Sequence, residues 1–208
     1  MNIKQKTTLV AMTAATLLFT GCANQPQYTG SNASQNQTQP LTMGIDRQDF
    51  EKAASEAVDS LLRGKALNKP GGGRYVVMMA RLINDTTQRI DTDMLMKKIR
   101  IAMLQSGKAV VTTAVKAGGA EDMSTYEVRK LRGNSEFKQS RIAKKGSLIA
   151  PDMSLGGKIM QRTAKGTNGN QIVEYYFQLT LTHLETGLAF WEGETVIGKS
   201  GSNDTVTW

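Results

Sequence analysis

The chain has 208 residues and a formal net charge of +8, with 26 basic side chains, 18 acidic ones, one cysteine and one histidine. A single thiol and a single imidazole exclude the usual zinc sites and any intramolecular disulfide. The fold must therefore rest on a hydrophobic core, and the length predicts one domain with additional segments.

The first 22 residues resemble the export signal of a bacterial lipoprotein. A short basic start precedes the apolar run Leu9–Phe19, and Gly21 stands directly before Cys22. This layout is typical of a signal peptide over residues 1–21, and the apolar run is too short for a membrane-spanning helix. Phe19 replaces the leucine that is usual three residues before the cysteine. We expect Cys22 to carry the lipid; the alternative is a secreted protein with a chance cysteine.

The segment after Cys22 is predicted to be a tether. Residues 24–44 are rich in Gln, Asn, Ser and Thr and carry no charge, so they cannot bury enough apolar surface to fold. We therefore expect a disordered tether over residues 22–44 and one globular domain over residues 45–208. Ala23 follows the cysteine where an aspartate would favour the inner membrane, which predicts the periplasmic face of the outer membrane.

The first half of the domain contains a helix and a strand–helix–strand unit. A helix with an apolar stripe is predicted from a cap at Asp46 to Gly64. The apolar run Tyr75–Ala80 predicts a buried strand, and Arg81 to Ile90 is predicted to be a polar loop. A second helix runs from a cap at Asp91 or Thr92 to Gly107, and Lys108 to Val115 is the next strand. The short connection through one helix predicts that the two strands are parallel.

The second half is predicted to change to an antiparallel meander. Two short helices broken near Gly133 precede a strand over Met153 to Arg162, and a turn at Thr167 to Asn170 follows. The next strand has apolar side chains at every second residue, and the last strand runs from Leu188 to Val196. The alternating residues predicted to face the core are Val173, Tyr175, Phe177, Leu179 and Leu181. These elements predict an α/β fold, a mixed sheet of four to five strands with helices packed on it.

No set of residues predicts an enzyme. His183 ends a strand, where a packed histidine or one at the rim of the sheet is expected. Ser135 and Lys138 match a Ser-x-x-Lys motif, but its partner motifs are missing, so neither is assigned a catalytic role. We predict no catalytic residue, no metal site and no cofactor.

Positive charge is concentrated between Arg129 and Lys165. This stretch contains ten basic and two acidic residues, so its net charge of +8 equals that of the whole chain. Such a field favours an anionic partner. The export signal argues against nucleic acid, and leaves anionic lipid, lipopolysaccharide, peptidoglycan or an acidic protein surface, or simply a solvated surface. A second candidate surface, Arg81 to Arg89, leaves the C-terminal end of a strand, where ligands often bind. Its Asn84, Asp85 and Thr86 are equally typical of turn formers.

Three sequence features of the domain resemble the LpoB family of penicillin-binding-protein activators. They are the apolar strand entering Asn84 to Thr87, the basic helical region, and the segment from Gln178 through Gly187 to Trp191-Glu192-Gly193. The resemblance covers residues 70–198 and implies a small α/β domain like the N-terminal domain of TolB.

The resemblance implies an outer-membrane lipoprotein that binds and activates a class A bifunctional penicillin-binding protein, with peptidoglycan as a further candidate partner. The residues expected to contact the partner are Arg81, Asn84, Asp85, Arg89, Arg129, Arg132, Arg141 and Lys144. Two alternatives stay open at this stage: a structural lipoprotein of a secretion or flagellar assembly, and a binder of anionic glycan or lipopolysaccharide.

Overall fold

The computed structural model describes residues 26–29 and 42–202. Within them, a single mixed sheet has the strand order β1-β6-β5-β4-β2-β3. The strands are β1 Gln27–Thr29, β2 Tyr75–Asp85, β3 Ala109–Val111, β4 Met153–Lys165, β5 Asn170–His183 and β6 Ala189–Ser202, and the helices are α1 Arg47–Arg63, α2 Thr92–Gln105 and α3 Ser124–Lys130. This α/β architecture confirms the predicted fold class, with one strand more than expected.

The additional strand belongs to the predicted tether. The strand β1 pairs antiparallel with β6, so that Tyr28 lies opposite Lys199. Met43 is fully buried in the core, and Gly44 is buried beside it. These residues are therefore ordered parts of the domain, and for them the prediction of a disordered tether was wrong. Cys22 and the remainder of the tether lie outside the described residues.

Helices α1 and α2 cover one face of the sheet, as their apolar stripes predict. The Asp46 carboxylate accepts hydrogen bonds from the backbone N–H groups of Gln48 and Asp49, at 2.8 and 3.2 Å, and Asp49 accepts one from the N–H of Asp46. This reciprocal cap fixes the start of α1. At the start of α2, one Asp91 oxygen accepts the backbone N–H groups of Asp93 and Met94, without a reciprocal bond, and both predicted helices are confirmed.

The strand β2 is longer than predicted. It continues to Asp85, pairing parallel with β4 over Leu82–Asp85, so the prediction that Arg81 starts a loop was wrong. An irregularity in register between Met79 and Leu82 explains the miss, because it lets both residues face the core three positions apart. The pairing of β2 with β3 is parallel, as predicted, but β3 ends at Val111 and is shorter than expected.

The antiparallel meander of β4, β5 and β6 is confirmed, but β4 ends at Lys165 and β6 at Ser202, beyond the predicted ends at Arg162 and Val196. All five alternating residues of β5 named above are at most 4 % exposed. The predicted turn before β5 is a short 3₁₀ turn, Thr167–Gly169. His183 lies at the rim of the sheet, where its ring stacks on Phe190 with a centroid distance of 5.0 Å and its Nδ1 is 3.0 Å from Thr186 Oγ1.

A buried lysine joins the N-terminal segment to the sheet. The Lys199 side chain is completely buried, and its ammonium group contacts Asp49 Oδ2 at 2.6 Å and Asp46 Oδ2 at 3.2 Å. The same group donates to the backbone carbonyls of Thr42 and Gly44. Burial raises the pKa of the Asp49 carboxyl, and the Lys199 charge opposes this rise. The lysine thus satisfies two carboxylates and two carbonyls that would otherwise be costly to bury.

A second set of contacts holds the same segment. The Tyr175 hydroxyl donates to the Met43 carbonyl at 3.0 Å and accepts a hydrogen bond from Gln88 Nε2 at 2.7 Å. Gln88 Oε1 accepts the N–H of Ile45 at 3.1 Å. Burial raises the pKa of Tyr175 to about 12, although the Gln88 hydrogen bond opposes the shift. Residues 42–46 are therefore clamped by β5 and β6 before α1 begins.

Replacing Lys199 by methionine should destabilise the domain strongly. The change keeps most of the side-chain volume but leaves the buried Asp49 and the half-buried Asp46 without a counter-charge. We expect the free energy of unfolding in urea to fall by about 3–5 kcal/mol. The exposed residue Lys145, changed to methionine, is the matched control and should shift the same measurement by less than about 0.5 kcal/mol.

The start of β4 depends on another carboxylate. Asp152 Oδ2 accepts the N–H of Val76 at 2.8 Å, and Oδ1 contacts Lys69 Nζ at 3.0 Å. Burial acts to raise the pKa of Asp152, but the hydrogen bonds from Val76 and Lys69 outweigh it and lower the pKa. Because the folded pKa lies below the unfolded one, this stabilisation exists above the unfolded pKa and is lost as pH falls through the folded value.

The Asp152→Asn substitution should therefore cost stability at neutral pH and little in acid. We expect a loss of about 1 kcal/mol at pH 7 in urea unfolding, and a gap between wild type and variant that closes toward pH 3. Asp59→Asn, at an exposed position of α1, serves as the control. An equal gap at both pH values would contradict the assigned role of the ionised carboxylate.

Candidate functional site

The most distinctive surface of the domain is the segment between β3 and β4. We call residues 123–149 the basic lobe; it contains seven basic and two acidic side chains. The lobe consists of α3, a 3₁₀ turn at Gln139–Arg141 and connecting turns. The first of the two predicted short helices is confirmed, and a three-residue 3₁₀ turn replaces the second. The Tyr126 hydroxyl ties the lobe to the end of the β3 segment by donating to the Ala114 carbonyl at 2.9 Å.

Side chains hold the turns of the lobe together by binding the backbone. Arg132 donates from Nε and Nη2 to the Ala143 carbonyl, at 2.8 and 2.6 Å. Arg129 donates to the Thr125 carbonyl at 2.6 Å and to Ser147 Oγ at 3.2 Å. Both arginines are half-buried. Their guanidinium groups therefore brace the lobe, a structural role that their charge alone did not predict.

Arg141 and Lys144 occupy the exposed side of the lobe. Among the contacts of the described residues, neither side chain forms a hydrogen bond or an ion pair, and the Arg141 backbone N–H donates to the Lys138 carbonyl at 3.0 Å. Gln139 supports the turn beneath them, because its amide donates to the Asn134 and Phe137 carbonyls at 2.6 and 3.0 Å and accepts the Gly133 N–H. The lobe thus presents these two cations on a braced framework.

The lobe also exposes apolar side chains between its charges. Ile149 is 73 % exposed, and several other large residues are more than one-third exposed: Met123, Tyr126, Val128, Phe137 and Leu148. Exposed apolar groups near cations are typical of a protein-binding surface. Sequence reasoning singled out the charges but missed these residues, because an irregular segment has no periodicity to separate buried from exposed positions.

Two ion pairs fix the base of the lobe to α2. Arg100, which is 8 % exposed, pairs with Glu121, and its hydrogen bond lowers the pKa of that carboxyl. Lys116 contacts Asp93 at 3.2 Å. These residues line a cleft of about 300 Å³ with Met96. Arg100 occupies the apolar stripe of α2 four residues after Met96, which is the sequence signal that could have predicted a buried partner.

The second group of predicted site residues lies at the end of β2 and separates into different roles. Asn84 Nδ2 donates to the Gln88 carbonyl at 2.7 Å, and its Oδ1 accepts from the Thr86 N–H and hydroxyl. This favours the turn-forming role that was the alternative prediction. Asp85 pairs with Lys158 of β4 at 2.6 Å.

The two arginines of this group are exposed, and only one of them is placed near the lobe. The Arg81 Nη2 atom lies 3.9 Å from the position that a Cβ atom on Gly118 would occupy. Gly118 belongs to the turn that leads into the lobe. No contact of Arg89 joins it to that turn in the part of the chain that the structure describes. The structure thus brings Arg81 to the base of the lobe.

No group of three or more side chains able to hold a metal ion occurs among residues 26–29 and 42–202. No helix within these ranges is both long and apolar enough to cross a bilayer.

The family model of the peptidoglycan-synthase activator LpoB matches residues 49–197. The chain belongs to the LpoB family. It is therefore an activator protein and not an enzyme, and its partner is a class A penicillin-binding protein. The matched range begins within α1 and ends in β6, so it includes the basic lobe.

Several solved structures are similar to this chain. The C-terminal domain of LpoB from Salmonella enterica is 15 % identical, with 71 % of this chain and 97 % of that chain covered and a TM-score of 0.40. LpoB from Escherichia coli, solved by NMR, is 16 % identical over 85 % of this chain and 81 % of its own, with a TM-score of 0.35. The lipoprotein GNA1162 from Neisseria meningitidis is 15 % identical over 64 % and 88 %, with a TM-score of 0.30. Among curated proteins, no sequence matches.

Replacing Arg132 by alanine should loosen the lobe without unfolding the sheet. The change removes both hydrogen bonds to the Ala143 carbonyl, whereas the buried core does not include Arg132. We expect amide hydrogen exchange over residues 139–147 to accelerate at least about tenfold, while protection of β4 and β5 stays unchanged. Arg141→Ala removes the same charge and should leave exchange in this range unaltered. Equal effects of the two variants would contradict the bracing role.

Proposed function

We propose that the chain is a lipoprotein anchored through Cys22 to the periplasmic face of the outer membrane, and that its basic lobe docks on the synthase. The export signal and the position of Cys22 support the anchor. The family is one of cell-envelope proteins, which agrees with this location. Residues 1–21 are then removed, and residues 45–208, together with β1 and residues 42–44, form the working domain.

The lobe supports docking through its combination of charge and exposed apolar surface. Arg141 and Lys144 attract an acidic surface and raise the rate of encounter, whereas Phe137 and Ile149 supply apolar area to bury. Arg129 and Arg132 contribute indirectly by holding the lobe in one conformation, which lowers the entropy lost on binding. Arg81 extends the positive surface at the base of the lobe.

The remaining predicted residues have narrower roles. Asn84 shapes the turn after β2, Asp85 neutralises Lys158, and Arg89 is an exposed cation beside that turn. We assign the interface primarily to the lobe and treat this turn as its border.

Activation follows if the lobe binds the active conformation of the synthase more tightly than the resting one. Binding energy then shifts the population of the synthase toward the active form, and no catalytic group is needed in this chain. A tenfold preference for the active form corresponds to about 1.4 kcal/mol, which a few exposed charges and one apolar anchor can supply.

The decisive experiment measures glycan polymerisation by the purified class A synthase with and without residues 23–208. We expect the rate to rise on addition of the wild-type protein. The double variant Arg141→Ala/Lys144→Ala should raise the Kd for the synthase about fivefold to tenfold in low salt, with a smaller difference in high salt.

The matched control is Arg162→Ala/Lys165→Ala, which removes the same two charges at the far end of β4. It should bind and activate as the wild type does, because only the lobe charges face the partner. Equal losses in both double variants would assign the effect to net charge and reject the lobe as the docking surface. An unchanged polymerisation rate with the wild-type protein would reject activation itself.

A further inference from the structure

The N-terminal segment is fastened to the domain at two places of different strength. The inner fastening is residues 42–46, which receive hydrogen bonds from the buried Lys199 and Tyr175 and donate one to the half-buried Gln88. The outer fastening is β1, which has three residues, lies at the edge of the sheet and pairs only with β6. Tyr28 and Thr29 are half-buried and Gln27 is exposed, whereas Met43 is fully buried.

The contacts of β1 can be released without breaking the inner fastening. Tyr28 donates its hydroxyl proton to Asp49 Oδ1 at 3.0 Å, and its ring lies 5.5 Å from the Lys199 ammonium. If Tyr28 leaves, Lys199 keeps both carboxylates and both backbone carbonyls, and water can replace the hydroxyl at Asp49. Release of β1 therefore exposes one sheet edge but unpairs no buried charge.

Because β1 is close to Cys22 in the sequence, its release increases the distance that the domain can move from Cys22. Gln27 is five residues after Cys22, so a docked β1 keeps the sheet edge within about 17 Å of the cysteine. With β1 released, the domain is held from Thr42, twenty residues after Cys22, and the connection can extend to about 70 Å. The docked and released states of β1 thus allow very different maximum distances between the domain and Cys22.

The strand order also gives the docked state an orientation. The strand β1 is at one edge of the sheet and β3, which leads into the basic lobe, is at the other. Five strand spacings separate them, or about 24 Å. With β1 docked, the edge of the sheet that is tied to Cys22 is therefore the one opposite the lobe.

We propose that β1 is a reversible latch that sets how far the domain can move from its lipid anchor: docked on β6 it holds the domain at the membrane, and undocked it releases the domain toward a distant partner. This inference rests on the proposed anchoring through Cys22. It adds to the docking function a control of the distance between the domain and its anchor. It does not depend on which residues of the lobe contact the synthase.

The register of β1 offers a way to lock the latch. A Cβ atom built on Gly198 would lie 3.6 Å from the Cβ of Thr29, its partner in the register. This separation suits a disulfide. The double variant Thr29→Cys/Gly198→Cys should therefore form a disulfide that fixes β1 on β6. The substitution Tyr28→Ser removes the hydroxyl contact with Asp49 and the ring packing, and should favour release.

The experiment uses residues 22–208 coupled through the Cys22 thiol to a maleimide lipid, so it is independent of natural acylation. The two new cysteines are oxidised before coupling. Trp208→Phe leaves Trp191 as the single tryptophan, and energy transfer from Trp191 to dansyl lipid in phosphatidylglycerol-containing vesicles reports the distance of the domain from the membrane.

We expect the wild type and the oxidised lock to show similar, high transfer, and Tyr28→Ser to show transfer at least about twofold lower. Reducing the lock should leave its transfer at the wild-type level. Low transfer for the wild type, equal to that of Tyr28→Ser, or high transfer for all variants would overturn the latch. Circular dichroism of Tyr28→Ser should match the wild type, which separates release from unfolding.

Failure of the latch and failure of the proposed function have different signatures. In solution, without lipid, the oxidised lock should stimulate glycan polymerisation as well as the wild type does, because the lobe is at the opposite edge of the sheet. Loss of stimulation confined to the lock would place the interface at β6 and contradict the independence of latch and lobe. Absence of stimulation by every variant would count against activation alone, and the vesicle measurement would still decide the latch.

Discussion

The ammonium group of Lys199 is the point at which the N-terminal segment, the first helix and the last strand meet. Buried charge of this kind is costly unless every partner is in place, and here two carboxylates and two carbonyls surround one donor group. The cap of α1 is part of the same network, since Asp46 and Asp49 hold each other's backbone as well as the lysine. The start of the helix and the position of the chain before it are therefore set together.

The basic lobe is stabilised by different interactions. Its framework consists of hydrogen bonds from Arg129, Arg132 and Gln139 to backbone carbonyls, and none of its large apolar residues belongs to the core. The core of the sheet consequently does not depend on the surface that we assign to the partner. A lobe that is rigid but peripheral can change its exposed residues, and with them its affinity, at little cost to folding.

The sequence predicted the regular part of this fold well, because periodicity records which side of an element is buried. The alternating apolar residues of β5 predicted a strand, and the apolar stripe of α1 with its N-terminal cap predicted a helix. Both elements are present. The end of β2 was missed because the shift in register after Met79 breaks the alternation on which the prediction depended.

The strand β1 and the different roles of the arginines in the lobe were not predicted, for a related reason. The composition of residues 24–44 is that of an unfolded chain, and the order of Tyr28 and Met43 comes from Lys199 and Tyr175, more than 130 residues away. Likewise, charge identified Arg132 and Arg141 equally, and only the position of the Ala143 carbonyl distinguishes the brace from the exposed cation.

The strand β6, which β1 covers only in part, has one further consequence. The strand β1 covers three of its fourteen residues, so much of its outer rim is not covered by β1. Glu192 and Glu194 lie on that uncovered part and point to the face without α1 and α2, where they accept hydrogen bonds from Thr180 and Gln178. Two copies that joined rim to rim would bring these carboxylates together, and their mutual repulsion opposes the growth of a continuous sheet between neighbouring molecules.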